Sequence, residues 1–178
     1  MEKEVKTPSS GIARFKKVNK LNAILSIVIL IVTVVTCAIN ILFSIVYVQE
    51  GVTQMAAQIM NGISFAGPIV LILLIIPWAI FVIFSMIRGF KARPNVKPVV
   101  TLILSILALC FVIASPWLLL AASIIPLSLI DAGMQSVTEE AVLVPSIIMI
   151  VIGLSLMLAG IVPNIVVSQN NKKAVKAK

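Results

Sequence analysis

The side chains that most often perform catalysis or bind metals are scarce in this chain. It contains no histidine, which is the commonest general base and transition-metal ligand. Glu139 and Glu140 are adjacent and point in different directions on a helix, and Asp131 precedes them. A divalent cation could bind these acids, but charges at a helix start explain them better. No glycine-rich phosphate loop or metal-spaced cysteine pair occurs. We therefore predict a non-enzymatic protein without catalytic residues, metal site or cofactor.

Polar residues in the first apolar stretch recur at helical spacing. Thr33, Thr36, Asn40 and Ser44 share one face of a predicted helix, which also carries Cys37. In lipid, the Asn40 amide needs hydrogen-bond partners, and a neighbouring helix is the expected source. This polar stripe either packs against other helices or lines a path for a solute. We favour packing, because interhelical hydrogen bonds of this kind are common in membrane bundles.

Two Pro-Trp dipeptides, Pro77-Trp78 and Pro116-Trp117, lie in the middle parts of the second and third apolar stretches. Proline inside a helix removes a backbone hydrogen bond, so we predict kinks in the second and third helices. Tryptophan usually lies at the membrane interface, so each indole N–H needs an acceptor at this depth. A carbonyl freed by the proline is one candidate. Broken helices form binding sites in some transporters, but kinks that shape the bundle are the interpretation we favour.

Small residues recur in the last apolar stretch, where Gly153 and Gly160 are seven residues apart. Small residues let helix backbones approach closely, so this spacing predicts a packing seam. The seam serves either the bundle itself or a second protein, and both alternatives stay open. Cys37 and Cys110 also lie in apolar stretches, where we expect free thiols rather than a disulfide.

Four uncharged apolar stretches must position all of these residues. The chain is 61% hydrophobic with a mean hydropathy of +1.19 and only 11% charged residues, an excess that a water-soluble fold could not bury. Each stretch exceeds the roughly 20 residues that a membrane-spanning helix needs. We predict an all-α integral membrane protein, a four-helix up-and-down bundle over residues 21–168. Its predicted spans are 21–48, 62–87, 98–126 and 141–167.

The distribution of charge predicts an orientation. All 14 lysines and arginines fall in segments 1–20, 88–97 and 169–178, whereas the other two connections carry only acids. By the positive-inside rule, both termini are cytoplasmic and the protein is a multi-pass protein of the plasma membrane. The net charge of +8 then serves orientation and attraction to anionic lipid headgroups, not nucleic-acid binding. Segment 1–20 is a basic cytoplasmic segment, and we expect 169–178 to be a basic tail without fixed structure.

These features support two hypotheses about function. The first is a small accessory, assembly or protective subunit that acts through helix contacts with another membrane protein or with further copies of itself. The alternative is a small oligomeric channel or transporter subunit with a polar path along the first span. The predicted spans contain no Asp, Glu, Lys or Arg, which weighs against a proton-coupled carrier.

Overall fold

The computed structural model describes residues 10–48, 54–92, 98–131 and 139–176, and every one of these residues is helical. The prediction of an all-helical protein is therefore confirmed for this part of the chain. In lipid, helices satisfy their own backbone hydrogen bonds, which suits sequences rich in Leu, Ile and Val. The four helices are α1 (Ser10–Val48), α2 (Gln54–Ala92), α3 (Pro98–Asp131) and α4 (Glu139–Lys176).

Each helix contains one segment that is long and apolar enough to cross a membrane. These segments begin and end within a few residues of the predicted spans, and their bounds are Lys17–Val46, Asn61–Phe84, Leu102–Ile125 and Ala141–Val166. The helices continue beyond them. The expectation that 169–178 lacks fixed structure is wrong up to Lys176, where α4 ends. Alanine and lysine are good helix formers, and lysines near a helix C-terminus complement its dipole.

Neighbouring helices are antiparallel, as the up-and-down prediction requires. On α1 and α2, Ser26 contacts Trp78 and Asn40 contacts Ser64, so a forward step on one helix matches a backward step on the other. Each helix contacts two neighbours in the ring α1, α2, α3, α4, and α1 also contacts α3 across it. We call the end where α1 and α3 begin the basic end, and the opposite end the acidic end, after the charges of the flanking sequence.

Aliphatic side chains occupy both the interior and the outward surface. The middle of the bundle is closed by large side chains with 0% exposure, which we call the middle zone: Ile29, Leu71, Val112, Leu119 and Met157. The outward faces of all four helices expose many more, among them Ile31, Leu73, Leu107 and Val151. Such a surface is unfavourable in water and favourable in lipid.

Candidate functional site

The polar stripe of α1 faces the interior of the bundle. Thr33, Thr36, Asn40 and Ser44 are each at most 2% exposed, and Cys37 is buried beside them. Both cysteines are free thiols, and Cys110 points outward from α3. The structure thus brings the predicted stripe residues together on one buried face. Their hydrogen bonds, however, fall into two separate polar clusters, one towards each end of the bundle.

The basic-end layer consists of Asn22, Ser26, Trp78 and Asn164, from three different helices. The amides of Asn22 and Asn164 bond each other in both directions, with N–O distances of 3.3 Å. The buried indole Nε1 of Trp78 donates to the Ser26 hydroxyl at 2.8 Å. The acceptor of Trp78 is therefore a side chain on α1 and not a carbonyl freed by Pro77. These bonds tie α1 to both α2 and α4.

The Ser26 hydroxyl uses its full hydrogen-bonding capacity. It donates its one proton to the Asn22 carbonyl at 2.8 Å. Its oxygen accepts from Trp78 and, at 3.3 Å, from the Asn164 amide. A hydroxyl offers one donor and two lone pairs, so nothing remains unpaired at this atom. A buried polar group satisfied in this way stabilises one arrangement of three helices.

The acidic-end layer consists of Asn40, Ser64, Ser123 and Ser146, one residue from each helix. The amide oxygen of Asn40 accepts from the Ser64 hydroxyl and, at 2.7 Å, from the Ser123 hydroxyl. The two serine oxygens are 3.0 Å apart. Ser44, one turn beyond Asn40, donates to the Asn40 backbone carbonyl at 2.9 Å. A single carbonyl oxygen therefore joins α1, α2 and α3.

Three buried polar atoms near the acidic end have no hydrogen-bond partner among the described residues. They are the amide nitrogen of Asn40, the amide oxygen of Asn61 and the hydroxyl of Ser146. Asn61 precedes Ser64 by one turn of α2, on the side of the acidic end. Buried polar groups are nearly always paired, so three exceptions at one end require a physical explanation.

The middle zone separates the two layers and offers no free hydroxyl. Thr33 donates to the Ile29 carbonyl of its own helix at 2.8 Å. Ser115 donates across the helix pair to the Gly153 carbonyl at 2.7 Å. With these protons used and large aliphatic side chains around them, the polar stripe does not form a continuous polar surface.

The two Pro-Trp dipeptides have opposite environments. Trp78 is 0% exposed in the basic-end layer, whereas Trp117 is 59% exposed on the outward face of α3. Both α2 and α3 remain helical through Pro77 and Pro116. The kinks at these prolines stay a prediction.

Glycines allow two close contacts between helices. A Cβ at Gly160 would lie 2.5 Å from Val112 and 2.8 Å from the Ala108 carbonyl, and one at Gly153 would lie 3.2 Å from Leu119. The predicted seam of α4 therefore packs against α3 inside the bundle. A second close approach, which the sequence analysis missed, joins Gly67 to α1, where a Cβ would lie 2.6 Å from the Thr36 hydroxyl.

Comparison with known families, characterised proteins and solved structures finds nothing that matches this chain. Among the described residues, no three His, Cys, Asp or Glu side chains are grouped so that they could hold a metal ion. The interpretation of the site therefore rests on its own geometry.

The predicted site omitted the residues that complete the two layers: Asn22, Ser26, Ser64, Ser123, Ser146 and Asn164. The amides carried a signal, because an asparagine inside an apolar stretch needs a partner in lipid. The serines carried none, since a serine hydroxyl is often satisfied by a carbonyl of its own helix.

Proposed function

We propose that this chain is a polytopic protein of the plasma membrane with both termini in the cytoplasm. Four helices are long and apolar enough to span a membrane, and their outward faces are aliphatic. The separation of basic from acidic connecting segments in the sequence supports the orientation. We propose further that it acts as a small non-enzymatic accessory, assembly or protective subunit, through helix contacts in the membrane.

The interior favours this function over a path for solutes. Its polar side chains bond one helix to another, and the middle zone lies between the two polar layers. A bundle held together in this way is a self-contained unit. Its interactions with other proteins would then use its outward faces, and the alternative of a polar path along the first span has weaker support.

The observation that carries the proposal is a pair of small residues on the outward face of each of two helices. Gly62 and Ala66 on α2, and Ser155 and Ala159 on α4, are exposed at a spacing of four residues. A Cβ at Gly62 would meet no atom within 4 Å. Pairs of small residues at this spacing let a second transmembrane helix approach closely. The inward glycines are already used within the bundle, whereas these outward positions remain open.

The test is isolation from the native membrane in mild detergent, followed by mass determination of the particle. We expect a stoichiometric complex with a second membrane protein or with further copies of this chain. Replacing Ser155 and Ala159 by leucine should dissociate it, because leucines there would hold the partner helix away. The α2 pair is tested in the same way with Gly62→Leu and Ala66→Leu.

A matched control lies on the same helix. Gly160→Leu places the same side chain against Val112, so it should destabilise the bundle itself, which unfolding in SDS-containing mixed micelles would show. The outward variants should unfold like the wild type. A monomeric particle without any partner would overturn the proposal and make solute flux in liposomes the next assay.

A further inference from the structure

The two polar layers occupy corresponding positions on α1 and α4. Asn40 follows Asn22 by 18 residues, and Ser146 precedes Asn164 by 18 residues. Eighteen residues make about five whole turns and about 27 Å of helix axis. On antiparallel helices, this step returns both chains to the same face and the same level. Ser146 therefore lies opposite Asn40, as Asn164 lies opposite Asn22.

The residue on α4 differs between the two positions. In the basic-end layer, the long Asn164 amide reaches α1 and bonds Asn22 directly. In the acidic-end layer, serine takes its place, and a serine side chain is shorter and ends in a single hydroxyl. Ser146 is 0% exposed and Asn40 is 1% exposed, yet no bond joins them. Between helices in this register, the shorter side chain leaves room for a small guest.

The unpaired atoms specify the chemistry of that guest. The Asn40 amide nitrogen is a donor, the Asn61 amide oxygen is an acceptor, and the Ser146 hydroxyl is both. A guest that accepts one hydrogen bond and donates two matches this set. No charged side chain belongs to the layer, so neither a cation nor an anion would find a counter-charge there.

We propose that the acidic-end layer binds one internal water molecule that joins Asn40 to Ser146, with Asn61 as its third partner. Buried waters typically make about three hydrogen bonds to groups that otherwise lack them. The water takes the place that the Asn164 amide fills at the other end, and so joins α4 to the group of three helices already held by the Asn40 carbonyl. Exchanging the oxygen and nitrogen of the Asn40 amide preserves the argument, because the atom facing the water is then an unpaired acceptor.

A structure of the full chain at a resolution that shows ordered water is the direct test. We expect a water-sized peak within about 3.2 Å of both the Asn40 amide and the Ser146 hydroxyl. In a Ser146→Asn variant, the new amide should replace that peak and contact Asn40 directly. A wild-type structure with no peak there, or with density too large for water, would overturn the proposal.

Unfolding in mixed micelles supplies a second readout. Ser146→Ala should raise the unfolding equilibrium constant by about tenfold, because the water loses one partner and Asn40 loses its link to α4. Ser146→Asn should remain close to the wild type. In an Asn40→Leu background, Ser146→Ala should have no further effect. The proposal is wrong if Ser146→Ala equals or exceeds the wild type in stability, or if its effect persists undiminished in that background.

Discussion

The two ends of this bundle solve the same problem with different completeness. Each end places an α1 asparagine, Asn22 or Asn40, among serines and amides of neighbouring helices. In the basic-end layer, the side chains bond one another directly, and the Ser26 hydroxyl has no capacity left. In the acidic-end layer, one half of the Asn40 amide accepts two bonds while the other half has no partner among the described residues.

The difference shows that burial alone does not determine how rigidly a polar residue holds a bundle. Asn40 is 1% exposed and Asn22 also 1% exposed, yet only Asn22 is bonded to a side chain of α4. We therefore expect α4 to be held more firmly at the basic end. At the acidic end, the packing of Ser146 depends on a smaller and more easily disturbed contact.

The largest expected effect comes from breaking the basic-end layer at Trp78. Trp78→Ala should destabilise the protein by about 3–5 kcal/mol, because it removes a fully buried indole and leaves a cavity between helices. It also removes the bond to the Ser26 hydroxyl. The measurement is the free energy of unfolding by SDS titration in mixed micelles.

Trp117→Ala is the matched control, since the two tryptophans follow prolines in equivalent motifs and differ in environment. Trp117 is 59% exposed on the outward face, so its loss should change stability by less than about 1 kcal/mol. Equal effects at both tryptophans would contradict the assignment of Trp78 to a buried layer.

The sequence predicted the four helices because membrane thickness imposes a simple requirement on length and hydropathy. Residues 21–48 were assigned to the first span, and Lys17–Val46 is the corresponding segment of α1. The periodicity of Thr33, Thr36, Asn40 and Ser44 likewise predicted one face, and that face is buried. Helical spacing is a local property, so it can be read from one stretch of chain.

Partners across helices could not be predicted in this way. Nothing in the sequence distinguishes Trp78, which meets Ser26, from Trp117, which faces outward, because both are flanked by similar residues. The same holds for Gly67, whose contact with Thr36 depends on the register between α1 and α2. Register is set by the packing of whole helices, which a single apolar stretch with little periodicity does not specify.

A smaller effect is expected for the amide pair, and it sharpens the comparison between ends. In a double-mutant cycle, Asn22→Leu and Asn164→Leu should be coupled by about 0.6 kcal/mol, the average for hydrogen bonds between transmembrane helices. The control cycle combines Asn22→Leu with Ser123→Ala at the opposite end, where the two effects should add within about 0.5 kcal/mol. An additive amide pair would show that the reciprocal bonds contribute nothing to stability.

The smallest single-site effects are expected at the two serines that share the Asn40 oxygen. Ser64→Ala or Ser123→Ala alone should each destabilise the protein by no more than about 0.5 kcal/mol, because the other hydroxyl still donates to that oxygen. The double variant should lose more than the sum of the two, about 1 kcal/mol or above, since the buried oxygen then has no donor. Unfolding titrations of the three variants measure this, with the exposed Ser155→Ala as the control. If the double variant equals the sum, the two hydroxyls act independently, and the acidic-end layer is not organised around Asn40.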